Sequence, residues 1–341
     1  MSETPSAADA EIGSLESKLL GALKSVESLL VEETRTQREN TTELVSHLRA
    51  AGGKRMRPML TVLISQLGQP DEPVSADVIK AAVAVELTHL ASLYHDDLMD
   101  EATMRRGVKA AHEAWNNTLA VMAGDLIFSR ASLLVSALGS RIVAQHSRTF
   151  ERLCLGQMYD IFGPGHDDDP IDFYLQVLRE KTGALIGCAA LYGAELSGCP
   201  ETTIEAVTQF GEDLGVAFQL ADDVLDLRAT EEQSGKTPGA DLRDGTKTMP
   251  VLLLEKRVAA GSADADDVKL LEDIRALCGT TDLEVLGDLV VRLASHEVTA
   301  ETTQLASAWV RRALSHLEVL PDSKVKQALS DFAHLQINRL Q

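Results

Sequence analysis

The sequence is poor in aromatic residues and has no cysteine pattern typical of a redox or metal site. Only 4% of its 341 residues are Phe, Trp or Tyr, whereas Ala and Leu dominate, and this composition favours helices. The four cysteines show neither CxxC nor Cys/His metal spacing and lie at Cys154, Cys188, Cys199 and Cys278. They are typical of core thiols in a reducing compartment.

Basic residues are also scarce. The chain has 32 Lys and Arg against 52 Asp and Glu, a formal net charge of −20. This excess of acid argues against nucleic acid as a partner and against an anionic membrane surface. The sequence contains neither a signal peptide nor a run of 18 apolar residues. We therefore expect a cytoplasmic protein without a transmembrane segment.

Two enzyme signatures are missing. The phosphate loop GxxxxGK[ST] does not occur, because Thr230 stands where a first glycine would have to precede Gly235-Lys236-Thr237. No combination of His with Ser or Cys suggests a nucleophile triad. These absences argue against a P-loop site and against nucleophilic catalysis.

The sequence does contain an acidic cluster at the end of an apolar helical run. Apolar residues recur at helical spacing before His95-Asp96-Asp97-Leu98-Met99-Asp100. Asp96 and Asp100 are four residues apart, so their carboxylates share one helix face, about 5–6 Å apart at Cβ. Acids are disfavoured at a helix C-terminus, and no Lys or Arg lies within a turn before these two. A hard divalent cation such as Mg²⁺ would neutralise them.

The same pattern recurs more than a hundred residues later on a second apolar helical run. Asp222, Asp223 and Asp226 again form DDxxD, and Asp222 and Asp226 share a face. If the two acidic faces point into one cavity, they form a cage for several Mg²⁺ ions and a polyphosphate. The alternative, two unrelated solvated helix faces, is weaker because such a pair is uncommon by chance.

Basic residues cluster near the first acidic group. The turn Gly52-Gly53-Lys54-Arg55-Met56-Arg57-Pro58 places Lys54 and Arg57 beside a predicted helix N-terminus. Fixed cations, backbone N–H groups and the helix dipole together make an anion site, and a basic surface turn is the alternative. Arg105 and Arg106 follow the acids, and their planar guanidinium groups suit a diphosphate, although surface ion pairs are the alternative.

Further polar residues lie in the second half of the chain. Lys181 and Thr182 interrupt an apolar helix predicted over residues 171–196, where they need a partner such as a phosphate. The preceding acidic segment ends in Asp169-Pro170, typical of an N-cap and first helical residue, so we interpret it as a solvated loop. Residues 229–247 predict a mobile loop that closes over the site.

In this order and spacing, the motifs resemble those of the trans-polyprenyl diphosphate synthase family, of medium- and long-chain type. The residues that carry the resemblance are Gly52 to Pro58, Glu86-Leu87-Thr88-His89, His95 to Asp100, Arg105-Arg106-Gly107, Ala123-Gly124-Asp125, Lys181-Thr182 and Phe218-Gln219-Leu220-Ala221-Asp222-Asp223-Val224-Leu225-Asp226.

The resemblance implies an all-α isoprenoid synthase fold, a single helical bundle around a central cavity that spans residues 1–341. The small and polar residues 1–10 predict a disordered tail. The resemblance also implies a homodimer that uses Mg²⁺ to condense isopentenyl diphosphate with an allylic diphosphate, with farnesyl or geranylgeranyl diphosphate as primer. No pair of strands is predicted.

Roles follow from the resemblance residue by residue. The implied Mg²⁺ ligands are Asp96, Asp97, Asp100, Asp222 and Asp226, and the implied catalytic set adds Asp223, Arg105 and Lys181. The implied isopentenyl diphosphate pocket contains Lys54, Arg57, His89 and Arg106. The implied contacts to the allylic diphosphate are Arg105, Lys181, Thr182, Gln219 and Lys236. Thr246 stands where the family often has a lysine, so Lys247 is the candidate for that lysine's role.

Product length is predicted from the helix turn before Asp96. Ala91 and Ser92 are small, so no bulky floor closes the cavity there, and one turn rises about 5.4 Å, roughly one isoprene unit. Leu87, or a facing helix near Phe128 or Met158, would then stop the chain. We expect a product longer than farnesyl diphosphate, of six or more isoprene units by resemblance. Close helix packing is the alternative reason for small residues at these positions.

Other functions remain open at this stage. A geranylgeranyl diphosphate synthase would share every motif. A terpene cyclase or head-to-head synthase of the same broad fold usually varies the second acidic cluster and lacks the basic turn. A non-catalytic regulatory subunit of a prenyl synthase would be expected to lose acids, whereas this chain keeps all six.

Overall fold

The computed structural model describes residues 7–228, 238–277 and 283–338. Within these ranges every regular element except one short hairpin is helical, which confirms the predicted all-α class. The elements up to residue 162 are α1 (Ala7–Glu33), α2 (Glu39–Ala50), α3 (Met56–Ser65), α4 (Ala76–Met99), β1 (Met104–Arg105), β2 (Val108–Lys109), α5 (Ala111–Ala114), α6 (Asn117–Ser136) and α7 (Ser140–Phe162).

The later described elements are again helices. They are α8 (Pro170–Leu178), a π-helical turn (Arg179–Gly183), α9 (Ala184–Leu196), α10 (Glu201–Arg228), α11 (Ala240–Arg243), α12 (Met249–Ala259), α13 (Ala265–Leu277), α14 (Leu283–Ser295), α15 (Glu297–His316), a 3₁₀ turn (Leu317–Val319) and α16 (Lys324–Asn338). Of the tail predicted over residues 1–10, residues 7–10 belong to α1, and the first six lie outside the described residues.

Side-chain caps mark several helix starts. Ser75 accepts a hydrogen bond from the Val78 N–H before α4. Asp169 accepts hydrogen bonds from the backbone N–H groups of Ile171 and Asp172, with Pro170 as the next residue. These oxygens satisfy N–H groups that have no partner within the first helical turn. Asp169-Pro170 is therefore a helix start, as predicted.

The hairpin corrects the prediction that the chain has no strand pairs. Met104 pairs with Lys109 and Arg105 with Val108 in antiparallel register. The two residues between the strands, Arg106 and Gly107, have φ of 52° and 77°. Positive φ at both central residues is the signature of a type I′ turn, which matches the twist of a two-residue hairpin.

The π-helical turn is a second departure. The apolar period predicted one helix over residues 171–196, but the described backbone widens at Arg179–Gly183 before α9 continues. Such turns are rare and occur frequently at functional sites. Lys181 and Thr182 both lie within it.

The described chain divides into two compact units. The first contains residues up to Glu151, Leu185–Gly211 and His316–Leu329. Its core is aliphatic and includes the fully buried side chains Leu30, Leu48, Leu60, Ile64, Leu87 and Leu90. The Tyr94 hydroxyl donates a hydrogen bond to the Leu44 carbonyl over 2.6 Å, which ties α4 to α2.

The second unit contains Arg152–Ala184, Glu212–Ser315 and the residues from Ser330 onward. One core cluster includes Leu227, Leu242, Leu254, Leu270, Leu289 and Leu293, and a smaller one includes Leu178, Val216, Leu220 and Met249. These clusters fix the helix that carries the second acidic group. That the chain forms one domain stays a prediction.

The cysteines are only partly core residues. Cys188 and Cys199 are buried, as expected, but Cys154 is exposed. Cys278 lies outside the described residues.

Candidate active site

The first acidic cluster occupies the end of α4, and its middle residue differs in environment from its neighbours. Asp97 is 0% exposed, whereas Asp96 is partly buried and Asp100 is exposed at the C-cap. The Arg105 Nε donates a hydrogen bond to Asp97 Oδ1 over 2.6 Å. Burial raises the pKa of the Asp97 carboxyl, and the Arg105 charge opposes this rise. Asp97 therefore holds the hairpin arginine through one oxygen, and its predicted role as a metal ligand stays a prediction.

The second acidic cluster, on α10, repeats this division. Asp223 is 6% exposed, whereas Asp222 and Asp226 are only partly buried. The Asp223 carboxylate accepts hydrogen bonds from the Tyr174 hydroxyl over 3.0 and 3.1 Å and from the Met249 backbone N–H over 3.1 Å. Burial raises the pKa of the Asp223 carboxyl to about 8, against the lowering effect of these hydrogen bonds.

Helical periodicity explains why the middle acids are buried. Asp97 follows the buried Leu90 and Tyr94 by seven and three residues, and Asp223 follows the buried Leu220 by three. Residues at these intervals share one face of a helix, so both acids continue an apolar stripe. This signal was available in the sequence and was not used there.

The accessible acids fit a hard cation. In each cluster the first and last carboxylates, four residues apart, provide oxygen ligands on the accessible side of the helix. Among the described residues no group of three or more His, Cys, Asp or Glu side chains comes close enough to hold a metal by itself. Mg²⁺ commonly takes one or two carboxylates and completes its octahedron with phosphate oxygens and water. The donor set is therefore suited to a metal that binds together with a phosphate ligand.

The basic turn before α3 is shaped by left-handed backbone and buried charge. Arg55 has a φ of 49°, and its guanidinium bridges two acids, with Nε 3.0 Å from Glu27 and Nη1 3.0 Å from Glu86. Glu86 is 2% exposed. Lys54 is exposed and Arg57 is partly buried. Arg55 therefore braces the turn, and Lys54 and Arg57 remain the side chains of this turn suited to an anion.

The hairpin arginine Arg106 extends to the same turn. Its Nη1 donates hydrogen bonds to the Leu48 carbonyl over 3.1 Å and to the Gly52 carbonyl. A Cβ on Gly53 would come within 2.9 Å of Arg55 Nη1 and 3.0 Å of Arg106 Nη1. The ends of flexible arginine side chains can shift, but Gly53 also has a φ of 153°, which residues with a Cβ rarely adopt, so glycine is favoured here.

His89 belongs to this basic group on α4. Burial, followed by the positive charges of Arg57, Arg106 and Arg105, lowers the pKa of its imidazole well below the usual range. A neutral imidazole donates from one nitrogen and accepts at the other. The structure thus brings Arg57, His89 and Arg106 close to one another, and Lys54 is exposed in the adjoining turn. Their role as one anion pocket stays a prediction.

Lys181 has a carboxylate partner that the sequence did not indicate. Its Nζ lies 2.6 Å from Asp160 Oδ2 of α7, and both side chains are partly accessible. Thr182, the next residue of the π-helical turn, is buried. Gln219 lies on α10, three residues before Asp222, and is partly buried.

Two lysines that follow the second acidic cluster in the chain, Lys236 and Lys247, are predicted to contact a diphosphate. Lys236 lies outside the described residues, so its predicted role is untested. Lys247 is exposed, and its Nζ lies 3.0 Å from Glu255 on α12. The described part of the predicted mobile loop contains the short helix α11.

The residues predicted to set chain length lie on α4, between about one and two and a half turns before Asp96. Leu87 and Ala91 are fully buried, and the Ser92 hydroxyl donates to the His89 carbonyl over 2.9 Å. A Cβ on Gly124 of α6 would come within 2.2 Å of His95 Nε2 on α4, so α4 and α6 pack closely. The chain-length role of these residues stays a prediction.

The sequence analysis named Glu86 only as part of a motif and gave it no role, although an acid inside the apolar run of α4 indicates a buried partner. It did not name Asp160 or Tyr174, and no local pattern indicates them, because their partners are 21 and 49 residues away in the chain.

Known proteins place this arrangement in a family. The sequence model of the polyprenyl synthetase family matches residues 38–274. The nonaprenyl diphosphate synthase of Mycobacterium tuberculosis is 38% identical over 318 residues, covering 92% of this chain and 91% of the relative.

Solved structures agree with this assignment. A geranylgeranyl pyrophosphate synthase from Corynebacterium glutamicum, solved with calcium and isoprenyl diphosphate, has a TM-score of 0.83 and 37% identity, covering 96% of this chain and 98% of that one. A decaprenyl diphosphate synthase from Rhodobacter capsulatus has a TM-score of 0.83 and 30% identity, covering 96% and 99%. The chain therefore belongs to the polyprenyl synthetase family and has the isoprenoid synthase fold.

Proposed function

We propose that this protein is a trans-polyprenyl diphosphate synthase that condenses isopentenyl diphosphate with an allylic diphosphate and makes a product longer than farnesyl diphosphate, of six or more isoprene units. The observation that supports the proposal is the coexistence of two partly accessible carboxylate pairs, on α4 and α10, with the basic residues that we assign to a separate pocket. A prenyl chain-elongating enzyme needs both, because it binds two diphosphates and ionises only one of them.

The basic pocket suits the diphosphate that is not ionised. Lys54, Arg57 and Arg106 carry three positive charges, and the neutral His89 adds a hydrogen-bond donor. Arg55 and Glu86 hold the backbone of this pocket through a buried ion pair. Binding at fixed cations would keep isopentenyl diphosphate in place while its alkene reacts.

The allylic diphosphate is the one that is ionised, and it leaves with the electron pair of the broken C–O bond. Arg105 and Lys181 are the cations assigned to it, and Asp96, Asp100, Asp222 and Asp226 are the carboxylates that would hold Mg²⁺. Bound Mg²⁺ would supply stabilisation of the negative charge that develops on the departing diphosphate. Apolar side chains around the site would keep water from the allylic cation. A proton is then lost from the condensation product, for which the departing diphosphate is an available acceptor.

Geranylgeranyl diphosphate synthase is the second candidate, because a protein of that name is 37% identical. A terpene cyclase is disfavoured by the basic pocket, and a regulatory subunit by the retention of both carboxylate pairs. The experiment is incubation of the purified protein with Mg²⁺, isopentenyl diphosphate and farnesyl diphosphate, followed by sizing of the products. Products of six or more units support the proposal, a geranylgeranyl product supports the second candidate, and no product contradicts both.

We also propose that the protein is a cytoplasmic homodimer whose interface includes α6. Within the described residues α6 alone is long and apolar enough to cross a membrane, and only 33% of its most apolar stretch is buried. Its exposed apolar residues Leu119, Met122 and Leu133 are spaced to share one face. A second copy of the chain would cover that face, as the family resemblance implies.

A further inference from the structure

Lys181 is carried by the π-helical turn Arg179–Gly183, a backbone form that α-helical sequences seldom adopt. The two residues before it, Arg179 and Glu180, are charged, and each is held by ion pairs within the second unit. The turn is therefore held by specific side chains, none of which is assigned to a diphosphate.

Glu180 is held by α7 and linked to α10. The Arg152 Nε donates a hydrogen bond to Glu180 Oε2 over 2.6 Å, and Arg152 Nη1 donates to Glu212. All three side chains are only partly exposed. Arg152 thus joins the π-helical turn to both neighbouring helices through one guanidinium group.

Arg179, the first residue of the π-helical turn, is held by a buried acid on α10. Its Nη2 lies 3.4 Å from Asp213 Oδ1, and Arg312 Nε lies 2.9 Å from Asp213 Oδ2. The Asp213 side chain is 3% exposed. Both guanidinium carbons also lie over the Trp309 ring, at 5.5 and 4.5 Å from its centroid, within the range of cation–π attraction.

Glycines let the neighbouring backbones touch the turn. A Cβ on Gly156 would come within 2.8 Å of Glu180 Cβ and 2.9 Å of the Lys181 backbone N. A Cβ on Gly215 would come within 2.6 Å of Gly183 Cα. Gly156 and Asp160 are four residues apart on α7, so the face that packs on the turn also receives the Lys181 ammonium.

We propose that Arg152 and Asp213 are positioning residues that hold the π-helical turn in register, so that Lys181 is presented on the Asp160 side to the diphosphate of the allylic substrate. Relaxation of the turn to a regular α-helix would shift the register by one residue and rotate Lys181 by about 100°. The proposal rests on the assignment of Lys181 to the allylic diphosphate.

The test is a double-mutant cycle. Arg152→Met and Asp213→Asn are made alone and in combination with Lys181→Ala, and KM is measured separately for the allylic substrate and for isopentenyl diphosphate. Each single variant should raise KM for the allylic substrate about 10-fold, the equivalent of one charge-assisted hydrogen bond, and leave KM for isopentenyl diphosphate within about twofold. In the Lys181→Ala background, neither Arg152→Met nor Asp213→Asn should raise KM for the allylic substrate further.

Two further variants separate positioning from folding. Asp273→Asn removes an acid that pairs with Lys269 and Arg292 in the same unit, and it should leave both KM values unchanged. Arg152→Lys keeps the charge and part of the hydrogen bonding, so its KM for the allylic substrate should lie close to the wild-type value. It also replaces Arg152→Met in the test if that variant does not fold.

The possible failures are distinguishable. If Lys181→Ala raises KM for the allylic substrate but Arg152→Met and Asp213→Asn only lower Tm, the positioning role is wrong and the proposed function stands. An undiminished effect of Arg152→Met in the Lys181→Ala background would also overturn the positioning role. If Lys181→Ala itself leaves the allylic KM unchanged, both the assignment of Lys181 and this inference fall.

Discussion

The buried carboxylate of Asp97 accepts a 2.6 Å hydrogen bond from the guanidinium of Arg105, which ends the first strand of the hairpin after α4. Asp97 is fully buried and has a second oxygen without a hydrogen-bond partner in the described structure. The first acidic cluster therefore has two kinds of acid. Asp96 and Asp100 are accessible, and Asp97 anchors a cation assigned to the substrate.

The two kinds of acid should respond differently to mutation. Asp96→Ala and Asp222→Ala should each lower kcat by about 100-fold or more with little change in Tm. Each removes a proposed ligand of the Mg²⁺ that would stabilise the negative charge on the departing diphosphate. Asp97→Asn should lower the free energy of unfolding by about 3 kcal/mol or less, because it leaves the partly buried Arg105 without its counter-charge. The exposed loop variant Asp167→Ala is the control. Near-normal turnover in Asp96→Ala or Asp222→Ala would contradict the assignment of the accessible acids.

The two diphosphate pockets should be separable by kinetics. Lys54→Ala or Arg57→Ala should raise KM for isopentenyl diphosphate by about 10- to 100-fold, the equivalent of a lost charge-assisted hydrogen bond. Lys181→Ala should raise KM for the allylic substrate instead. Lys324→Ala, on α16, is a matched control. Equal effects of these variants on both substrates would show that the division into two pockets is wrong.

Product length should respond to the residues one turn before Asp96. Ala91→Phe and Ser92→Phe should shift products toward farnesyl and geranylgeranyl diphosphate while condensation continues. Ala91 is fully buried, so Ala91→Phe also overpacks the core at a cost of about 1–3 kcal/mol, and the partly buried Ser92 is the sharper site. Met99→Phe is the control at an exposed position. Wild-type chain lengths from Ser92→Phe would place the limit elsewhere.

The neutral His89 should make the stability of the ligand-free protein depend on pH. Its pKa is depressed in the folded state, so below about pH 6.5 the unfolded chain binds a proton that the folded chain does not. The stability it contributes is therefore present above that pH and is lost as the pH falls. Between pH 7.5 and 5.5 the wild type should lose about 1 kcal/mol more than His89→Gln in denaturant titrations.

The control for this prediction is the fully exposed His166. His166→Gln should show the same pH dependence as the wild type. If His89→Gln and the wild type lose equal stability over this interval, the imidazole of His89 is not held neutral by the fold.

The apolar face of α6 should be an interface between two copies. Leu133 is 70% exposed and Met122 is 58% exposed. Leu133→Lys with Met122→Lys should place charges in a buried contact and shift the protein from dimer to monomer in sedimentation velocity. Val291→Lys, at another exposed apolar position, should not. A monomeric wild type would contradict the dimer.

Much of this protein could be predicted from local sequence. The apolar period located the helices that carry both acidic clusters, and Asp169-Pro170 located the start of α8. The order and spacing of the acidic and basic motifs indicated the family. These features depend on residues a few positions apart, and helix geometry alone determines which of those residues share a face.

Tertiary structure decided which partner each charged group has. Asp223 meets Tyr174, Lys181 meets Asp160, and Arg106 folds back to Gly52, each across 21 or more residues. The π-helical turn also escaped prediction, because the backbones that approach it closely, at Gly156 and Gly215, belong to other helices. Periodicity specifies the face on which a side chain lies, but the atoms packed against that face come from distant parts of the chain, and they determine burial, pKa and hydrogen bonding.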